Sequence, residues 1–406
     1  MRDVVFVLTL FWAQFYFSIN SILGITYSGS DASKTYVLGL GTLAFLSILL
    51  VAYKSGRLMV KYKLFTILIP IFFCFFYLIE QMTDSSDLSR YLVFYFVMCL
   101  PPSYIGVYLA NHGGIGRLSK WLDVMMLILT TGLFMSLRQS MMTSNFETMV
   151  GGMSYQQASY LSAIAYSLNL CGLLYGKNYV RYKIMNHIAI KWICVVLLLV
   201  QFLGCISSGG RGGFLLVILV TIILFVFKIK SRNIGYLLVA IALFVLVFVL
   251  CQDSLSFLFQ GSRYERAFSI FTKSDTASSR SVVWNYADRF IKNYNYVGAG
   301  IFKYYGLFEK KFDQPYAHNI FLELLCQGGL LYFMIGCCLV AKGIIRIPKI
   351  IRLDSSNILL IPLGLYSLVY LMLSGSYMEE GLFWFVLAYA FSYSLKAEGM
   401  YISIAK

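Results

Sequence analysis

The chain has 406 residues, of which 59% are hydrophobic and 13% charged, and its mean hydropathy is +0.75. These values exclude an ordinary soluble domain and predict a polytopic membrane protein. The formal net charge is +15, a basic balance that nucleic-acid-binding proteins share, so the placement of the basic residues has to be followed along the chain.

Twelve stretches are long and apolar enough to cross a membrane as helices, since a helix needs roughly 20 apolar residues to do so. They lie at about 3–23, 36–53, 62–80, 91–110, 120–137, 157–176, 187–206, 212–229, 233–251, 317–341, 357–374 and 380–397. No small-residue cleavage site follows the first stretch, so it is predicted to remain as a helix rather than leave as a signal peptide. The predicted fold is all-α, with about twelve transmembrane helices.

Five connections between these stretches are basic, and the positive-inside rule predicts that they are cytoplasmic. They are residues 54–63, 111–120, 177–191, 228–232 and 342–352. Together with Arg2, Lys396 and Lys406, they place twenty of the 33 Lys and Arg residues on the inner side. Both termini are therefore predicted to be cytoplasmic, and the net charge is explained without a nucleic-acid partner.

One long polar segment, residues 252–316, separates the ninth and tenth predicted helices and is assigned to the outer side. It holds nine Lys and Arg residues, and the positive-inside rule is weakest for loops of this length. Attraction to membrane lipids and binding of a phosphorylated substrate both explain this charge. The predicted organisation is one integrated membrane domain: helices one to nine in 1–251, a loop subdomain with short helices in 252–316, and helices ten to twelve in 317–406.

Within this loop, the residues from Ser279 predict an amphipathic helix that stops near Asn295. Its apolar face consists of Val283, Ala287, Phe290, Ile291 and Tyr294. Arg280 and Trp284 lie on another face, which would point to a sugar or phosphate if the apolar face lay against the bilayer. An interfacial helix with snorkelling arginines explains the same pattern.

Two other segments carry candidate catalytic groups. Arg211 stands among Gly209, Gly210, Gly212 and Gly213 in a short outward turn, where backbone N–H groups and a helix start favour an anion such as a diphosphate. A tight hairpin with an arginine at the lipid headgroups is the alternative. His318 opens the tenth helix and is the only histidine on the predicted outer side, so it is the candidate base. A helix-start residue that hydrogen-bonds to backbone is equally consistent with its position.

Further outward residues are candidate substrate-binding groups. Tyr155 and Gln156 combine a ring face with an amide, as carbohydrate sites do, although polar residues at a helix start explain them equally well. The remaining candidates are Arg263, Arg266, Arg289, Asn319, Glu323 and Glu379. Glu380, Asp288 and Asp313 are, with Glu379, alternative bases. The nine cysteines lie in or beside apolar stretches without metal-ligand spacing, so neither a metal nor a cofactor is expected.

The ordered set of these features resembles the O-antigen polymerase and O-antigen ligase superfamily over about residues 200–345. The set comprises the Gly-Arg-Gly turn at Arg211, Arg280 with Trp284, Gly298-Ala299-Gly300, Ala317-His318-Asn319, and then Glu323 with Gly328-Gly329. In addition, Arg289 and Gly300 match a spacing described for polymerases. The matching spacing is missing after Arg138, because the residue that follows ten intervening residues is Met149, and glycine appears only at Gly151.

The resemblance implies a membrane glycosyltransferase of the GT-C type that works at the outer face of the bacterial inner membrane. Donor and acceptor would be glycans on undecaprenyl diphosphate, and a chain-length regulator is a further candidate partner. By the same resemblance, Arg211 and Arg280 would hold the diphosphate, and His318 would assist the acceptor hydroxyl or orient the donor. The reaction would proceed with inversion and without a metal or cofactor.

Polymerase is the preferred activity because of the Arg289 to Gly300 spacing, the GGMSYQQAS stretch and the aromatic-rich chain. A ligase that transfers the glycan to lipid A core is the first alternative. A flippase for the same lipid-linked glycans is the second. Such a transporter should carry ionisable residues in the middle of several helices, whereas these predicted helices are nearly free of charge.

Overall fold

A computed structural model describes residues 2–25, 30–83, 88–142, 150–228, 279–312 and 316–394. These residues form fifteen α-helices joined by short 3₁₀ and π turns, and the described part of the chain contains no strand. The helices are α1 Arg2–Leu10, α2 Trp12–Leu23, α3 Ser30–Lys61, α4 Ile69–Thr83, α5 Ser89–Phe94, α6 Leu100–Asn111, α7 Ser119–Met142, α8 Tyr155–Tyr175, α9 Ile188–Ser207, α10 Arg211–Lys228, α11 Ser279–Asn293, α12 Ile301–Phe312, α13 Ile320–Leu353, α14 Leu360–Leu373 and α15 Gly381–Ser392. The all-α prediction is confirmed.

Eight helical segments of the described residues are long and apolar enough to span a membrane, or nine if the broken pair α1 and α2 counts as one. The protein is therefore a multi-pass membrane protein, but the predicted count of twelve is not confirmed. The predicted span 233–251 lies outside the described residues. Helix α8 is long enough but polar, and α15 has only 12 residues.

The polarity of α8 follows from its place in the fold. It packs against α7, α9 and α10, so that most of its side chains are buried by protein. A helix that meets other helices on its faces can hydrogen-bond through polar side chains instead of presenting apolar ones to lipid. Asn169 does so, because its amide nitrogen donates to the carbonyl of Cys194 at 2.9 Å and to the Gln201 side chain at 3.0 Å.

Two of the predicted cytoplasmic connections are helical. Helix α3 continues to Lys61 with non-helical backbone at Ser55, and α13 continues through 342–352 to Leu353. Basic residues are good helix formers, so a helix that leaves an apolar layer need not end there. The basic residues of these segments predicted connections between spans, but basic residues do not end a helix.

The chain divides into two compact units. The first consists of Met1–Phe11, Thr35–Leu118 and Asp275–Lys406, and the second of Trp12–Lys34 and Ser119–Ser274. In the second unit, the guanidinium of Arg181 donates to both carboxylate oxygens of Asp123 at 2.8 and 2.6 Å and to the carbonyl of Gly172 at 2.7 Å. Arg181 is one of the basic residues of the predicted cytoplasmic connection 177–191, and it is buried in this ion pair.

An aromatic core fills the first unit and includes the described part of the predicted loop subdomain. Helix α11 buries Val283, Ala287, Phe290 and Ile291 in it, and α12 buries a row of rings. The rings of Phe290 and Phe308 meet edge to face, with centroids 5.5 Å apart. The predicted apolar face of α11 is thus confirmed, but its predicted contact with the bilayer is wrong, because this face packs against protein.

Helix α13 is broken at Gly328 and Gly329, and the turn at 296–300 docks into the break. The N–H group of Ala299 donates to the carbonyl of Cys326, and that of Gly300 to the carbonyl of Gln327, both at 2.9 Å. In the opposite direction, the N–H group of Leu330 donates to the carbonyl of Tyr296 at 3.0 Å. Gly329 has φ +63°, and a side chain there would meet the Tyr296 carbonyl at 1.9 Å. The glycines of both motifs therefore permit close backbone approach.

Glu80, near the end of α4, caps α12. Its carboxylate accepts hydrogen bonds from the N–H groups of Ile301, Phe302 and Lys303 at 2.7, 2.8 and 2.7 Å. A helix start has unpaired N–H groups and a positive dipole end, so one carboxylate satisfies three donors at once. Gly300, with φ +114°, leaves room for it, because a Cβ there would lie 2.8 Å from the carboxyl carbon.

Replacing Glu80 with Gln should lower the free energy of unfolding by about 1–3 kcal/mol, because an amide oxygen is a weaker acceptor for three N–H groups than a carboxylate. Denaturant unfolding of the purified protein in detergent measures this. Asp288→Asn is the control, since Asp288 forms only an exposed pair with Lys292. An equal loss in both variants would show that the Glu80 cap on α12 contributes no more to the free energy of unfolding than an exposed ion pair does.

Candidate functional site

The turn that carries His318 is held by helices α11 and α12. The indole N–H of Trp284 donates to the carbonyl of Ala317 at 2.9 Å, and the Ala317 N–H donates to the hydroxyl of Tyr304 at 2.8 Å. Both backbone groups of Ala317 are therefore fixed by side chains of two different helices. Trp284 remains 37% exposed, so its ring is still accessible while its nitrogen is committed to this bond.

His318 itself has a left-handed backbone with φ +54°. Such a conformation costs a non-glycine residue about 1–3 kcal/mol and persists only where its surroundings enforce it. Here the enforcing contacts are those on Ala317 and the cap that follows, in which the Asn319 side chain accepts from the N–H groups of Phe321 and Leu322 at 2.9 and 3.3 Å. Asn319 thus starts α13 and turns the preceding histidine away from the helix.

The imidazole of His318 is partly buried between two elements of the first unit. The ring of Tyr316 meets it edge to face at 4.9 Å, and the imidazole forms a hydrogen bond with the backbone of Ser374. Burial, and then the positive charge of Arg280, lower the pKa of His318 from 6.5 to about 4, although the bond to Ser374 opposes this shift. His318 is therefore neutral at physiological pH.

Arg280 is in the first turn of α11, and its charge acts on His318. Its guanidinium is partly exposed. A neutral imidazole close to a permanent cation is an arrangement suited to an anionic ligand with a hydroxyl nearby. The structure thus brings together Arg280, Trp284, His318 and Asn319, four of the predicted site residues.

A loop between α14 and α15, residues Ser374–Glu380, lies against this group. It supplies the backbone partner of His318, and its Ser376 donates to the carboxylate of Glu323 at 2.5 Å. Glu323 is fully buried, so it does not face solvent as a substrate-binding residue would. Ser374, Ser376 and Tyr305 were not predicted as site residues. Two serines between apolar helices and a tyrosine in an aromatic-rich helix form no pattern that indicates a site.

The carboxyl groups of Glu379 and Glu380, at the end of this loop, differ in exposure and in hydrogen bonding. Glu380 caps α15 by accepting from the N–H of Leu382 at 3.1 Å, and burial raises its pKa to about 8. Glu379 is partly exposed, and burial raises its pKa to about 7, against the opposing effect of the positive charge of Arg90. Glu379 therefore titrates near neutrality, as a group that exchanges protons would.

In the second unit, Arg211 is the first residue of α10 and follows the turn at Gly209, which has φ +68°. This turn packs against the start of α8. The hydroxyl of Ser159 donates to the carbonyl of Gly210 at 2.8 Å, and a Cβ on Gly212 would lie 1.8 Å from the hydroxyl oxygen of Tyr160. The predicted Gly-Arg-Gly turn is thus a close helix–helix contact as well as a helix start.

Tyr155 and Gln156 belong to this same contact. They open α8, where Ser154 and Gln157 form a capping box, and the Gln156 amide donates to the Tyr155 hydroxyl at 3.1 Å. The Cα of Gln156 lies 3.5 Å from where a Cβ on Gly210 would stand. The start of α8 and the arginine turn are therefore neighbours in the second unit.

The other predicted residues are placed as follows. Arg289 is exposed on α11, and Gly300, its partner in the proposed spacing, is the residue before the Glu80 cap. Arg263, Arg266 and Asp313 lie outside the described residues. His112 stacks on the ring of Tyr108, with centroids 4.4 Å apart, and His187 is exposed at the start of α9.

Comparison with known proteins gives one family. Residues 193–337, about a third of the chain, match the family model described as O-antigen ligase. This segment includes Arg211, Arg280, Trp284 and His318, and it ends before the Ser374–Glu380 loop. Comparisons with curated proteins and with solved structures find no match.

Arg280→Gln should raise the pKa of His318 from about 4 toward 6.5, because it removes a positive charge that disfavours the imidazolium. The acylation rate of His318 by diethyl pyrocarbonate, followed by peptide mass spectrometry between pH 5 and 8, measures this pKa. The wild-type rate should stay flat over this range, whereas the variant rate should fall toward pH 5. Lys292→Gln is the control; a fall of the same size there would exclude a specific effect of Arg280.

Gly212→Ala should destabilise the arginine turn, because the added methyl overlaps the Tyr160 hydroxyl. Thermal unfolding in detergent should show a midpoint several degrees lower. The double variant with Tyr160→Phe, which removes the overlapping oxygen, should recover part of the loss. If Gly212→Ala alone is as stable as wild type, the contact between the turn and α8 is looser than described.

Proposed function

We propose that the chain is an O-antigen polymerase, and the match of residues 193–337 to the family model described as O-antigen ligase supports this proposal. In this function it transfers a growing glycan from undecaprenyl diphosphate to the non-reducing end of a new lipid-linked repeat unit. Glycosyltransferase-like activity is what the family supports, and the choice of acceptor is our proposal.

The observation that carries this proposal is the pairing of Arg280 with a neutral, conformationally constrained His318 in the first unit. An enzyme that splits a glycosyl diphosphate needs a cation for the departing diphosphate and a base for the acceptor proton. Arg280 supplies the first and His318 the second. Burial, and then the charge of Arg280, lower the pKa of the imidazole, so the base is too weak in the resting state.

Binding of the donor substrate would raise the pKa of His318 and so make it a stronger base. A diphosphate bound at Arg280 neutralises the guanidinium and adds negative charge beside the imidazole, so the pKa of His318 rises toward its ordinary value. The base would then be competent when the donor is present. The same effect protects the donor from attack by a stray nucleophile before the diphosphate is seated.

The proposed reaction is a single displacement. The acceptor hydroxyl oxygen attacks the anomeric carbon of the donor sugar, the bond from that carbon to the diphosphate oxygen breaks, and the hydroxyl proton passes to His318. The electron pair of the broken bond leaves with the diphosphate, where Arg280 stabilises the charge. Attack opposite the leaving group inverts the anomeric configuration. Each of these steps uses only groups of the protein and the two substrates.

Arg211 is proposed, by its position in the family motif, to bind diphosphate as well. Its place at the start of α10, with glycines that let backbone N–H groups approach an anion, supports this role.

The family description itself favours the alternative acceptor, because the matching model is that of O-antigen ligase. A ligase would transfer the finished glycan to lipid A core by the same chemistry. The features that favour polymerase are the Arg289 to Gly300 spacing and the GGMSYQQAS stretch. Both activities place the reaction at the outer face of the inner membrane, which agrees with the positive-inside orientation and cytoplasmic termini predicted from the sequence.

Deletion of the gene separates the two activities. Loss of a polymerase should leave single repeat units attached to the lipid A core, whereas loss of a ligase should leave long chains on undecaprenyl diphosphate. Gel separation of lipopolysaccharide and of lipid-linked glycans measures both products. Unaltered surface glycan in the deletion strain would count against either activity.

The purified protein should lengthen lipid-linked repeat units in detergent, which a flippase would not do. His318→Ala and Arg280→Ala should each slow this reaction by about 10²–10⁴-fold, through loss of the base and of the leaving-group cation. His187→Ala and Arg352→Ala are matched controls, because both residues are exposed outside the described site. Normal rates in the first pair would refute the assignment of the site.

A further inference from the structure

Glu323 occupies an unusual position for a carboxyl group. It lies in the first turn of α13, is fully buried, and accepts two hydrogen bonds on one oxygen, from the hydroxyls of Tyr305 and Ser376, each at 2.5 Å. The two hydroxyls are also 2.9 Å from each other. Three side chains from α12, α13 and the Ser374–Glu380 loop therefore meet at one point.

A buried carboxyl is costly, and its burial is tolerated when hydrogen bonds compensate. Apolar residues would pack α12, α13 and the loop without the desolvation cost of a carboxyl group. The benefit of the polar group therefore lies in the geometry of its hydrogen bonds. Hydrogen bonds are directional, whereas apolar contacts are not. Glu323 consequently fixes the position of the loop relative to α13 more sharply than a leucine would.

The loop is tied to α13 at a second point, one helical turn further on. The Tyr377 hydroxyl donates to the Gln327 side chain at 2.6 Å, and the Tyr377 carbonyl accepts from the Trp384 indole at 2.6 Å. Within the loop, the Ser376 hydroxyl accepts from the Met378 N–H at 3.2 Å. The loop is thus held rigidly from Ser376 to Met378.

His318 depends on this loop, because its imidazole is bonded to the backbone of Ser374, two residues before Ser376. His318 also precedes Asn319, the cap of the helix that carries Glu323. The histidine just before α13 and the carboxyl in its first turn therefore both contact the Ser374–Glu380 loop. A shift of the loop would change the orientation of the ring without any change in the residues next to it.

We infer that Glu323 is a positioning residue for His318, which acts through Ser376 and the backbone of Ser374 to fix the orientation of the imidazole. This role is different from binding the glycan, for which its full burial leaves no access. The effect on catalysis rests on the proposed function, but the effect on His318 itself does not.

Several groups other than Glu323 face His318 and would contribute to any pH effect. Arg280 reaches it from α11, Tyr316 from its own turn, and the backbone of Ser374 from the loop. Glu323 and Glu379 both act on the hydroxyl of Tyr316 through their charges. A test of Glu323 must therefore compare variants that leave Arg280 and Tyr316 in place.

The activity test uses Glu323→Gln, Ser376→Ala and Tyr305→Phe in the purified full-length protein. Each should lower kcat by about 10–100-fold with a change in KM of less than about twofold, since a misoriented base affects the reaction more than substrate binding. Tyr389→Phe is the control, because it removes another buried hydroxyl of the same unit that contacts Asn357 and not the loop. Equal kcat values for wild type and all three variants would overturn the inference.

A second test follows His318 directly by diethyl pyrocarbonate acylation and does not require enzyme activity. Release of the loop should expose the imidazole, so in Glu323→Gln and Ser376→Ala acylation at pH 8 should be several-fold faster. It should then decline at a higher pH than in wild type, because the exposed imidazole is less desolvated while Arg280 stays in place. Tyr389→Phe should behave like wild type, with a flat and slow profile. Thermal unfolding in detergent identifies any variant that fails to fold, for which Tyr305→Phe is the gentler replacement.

The two tests separate failure of the inference from failure of the proposed function. If wild type forms no glycan product but the variants alter acylation of His318, the positioning role stands and the proposed reaction fails. If folded variants lose activity while acylation of His318 is unchanged, Glu323 acts elsewhere and the inference is wrong.

Discussion

The structure depends on one constraint, that backbone N–H and carbonyl groups must find partners inside a chain that is largely surrounded by lipid. In the first unit, two sets of hydrogen bonds satisfy the backbone groups that are left unpaired where helices begin or break. Glu80 satisfies three N–H groups at the start of α12, and the turn before α12 satisfies the carbonyls of Cys326 and Gln327 at the break in α13. These bonds allow short helices to leave the membrane segments and return, which puts α11 and α12 beside His318.

The chemistry follows from the same architecture. Because α11 and α12 are packed into the aromatic core, Trp284 and Tyr304 can hold the backbone of Ala317 from two sides. The constrained turn presents His318 near Arg280, and burial together with the charge of Arg280 keeps the imidazole neutral. In the proposed reaction, His318 is a weak base without a donor and a stronger one with it, because it lies beside the cation proposed to bind the donor.

Periodicity and hydropathy predicted much of this. The 3.6-residue pattern of α11 identified its buried face, and the starts of α9 and α10 were placed within a residue of where they lie. The order of Arg211, Arg280 and His318 pointed to the family whose model matches residues 193–337. These features could be predicted because each arises from neighbours in sequence, such as an apolar stripe or a glycine beside an arginine.

The misses arise from contacts between residues far apart in sequence. Helix α8 looked like a lipid-facing span because hydropathy does not tell a helix buried in protein from one in lipid. Arg181 looked like a free loop cation because its partner Asp123 is 58 residues away. Ser374 and Ser376 carried no signal, since their importance comes from the backbone and carboxyl groups they meet.

The length of α13 has a consequence for where polar residues can be accommodated. Its 34 residues extend over about 50 Å, whereas the hydrocarbon layer is about 30 Å thick, and the stretch after Gly329 alone is about 36 Å long. The two turns before the break are therefore not needed to cross the bilayer. This surplus explains how the same helix can carry Glu323 and Gln327 near its start without a penalty for membrane insertion.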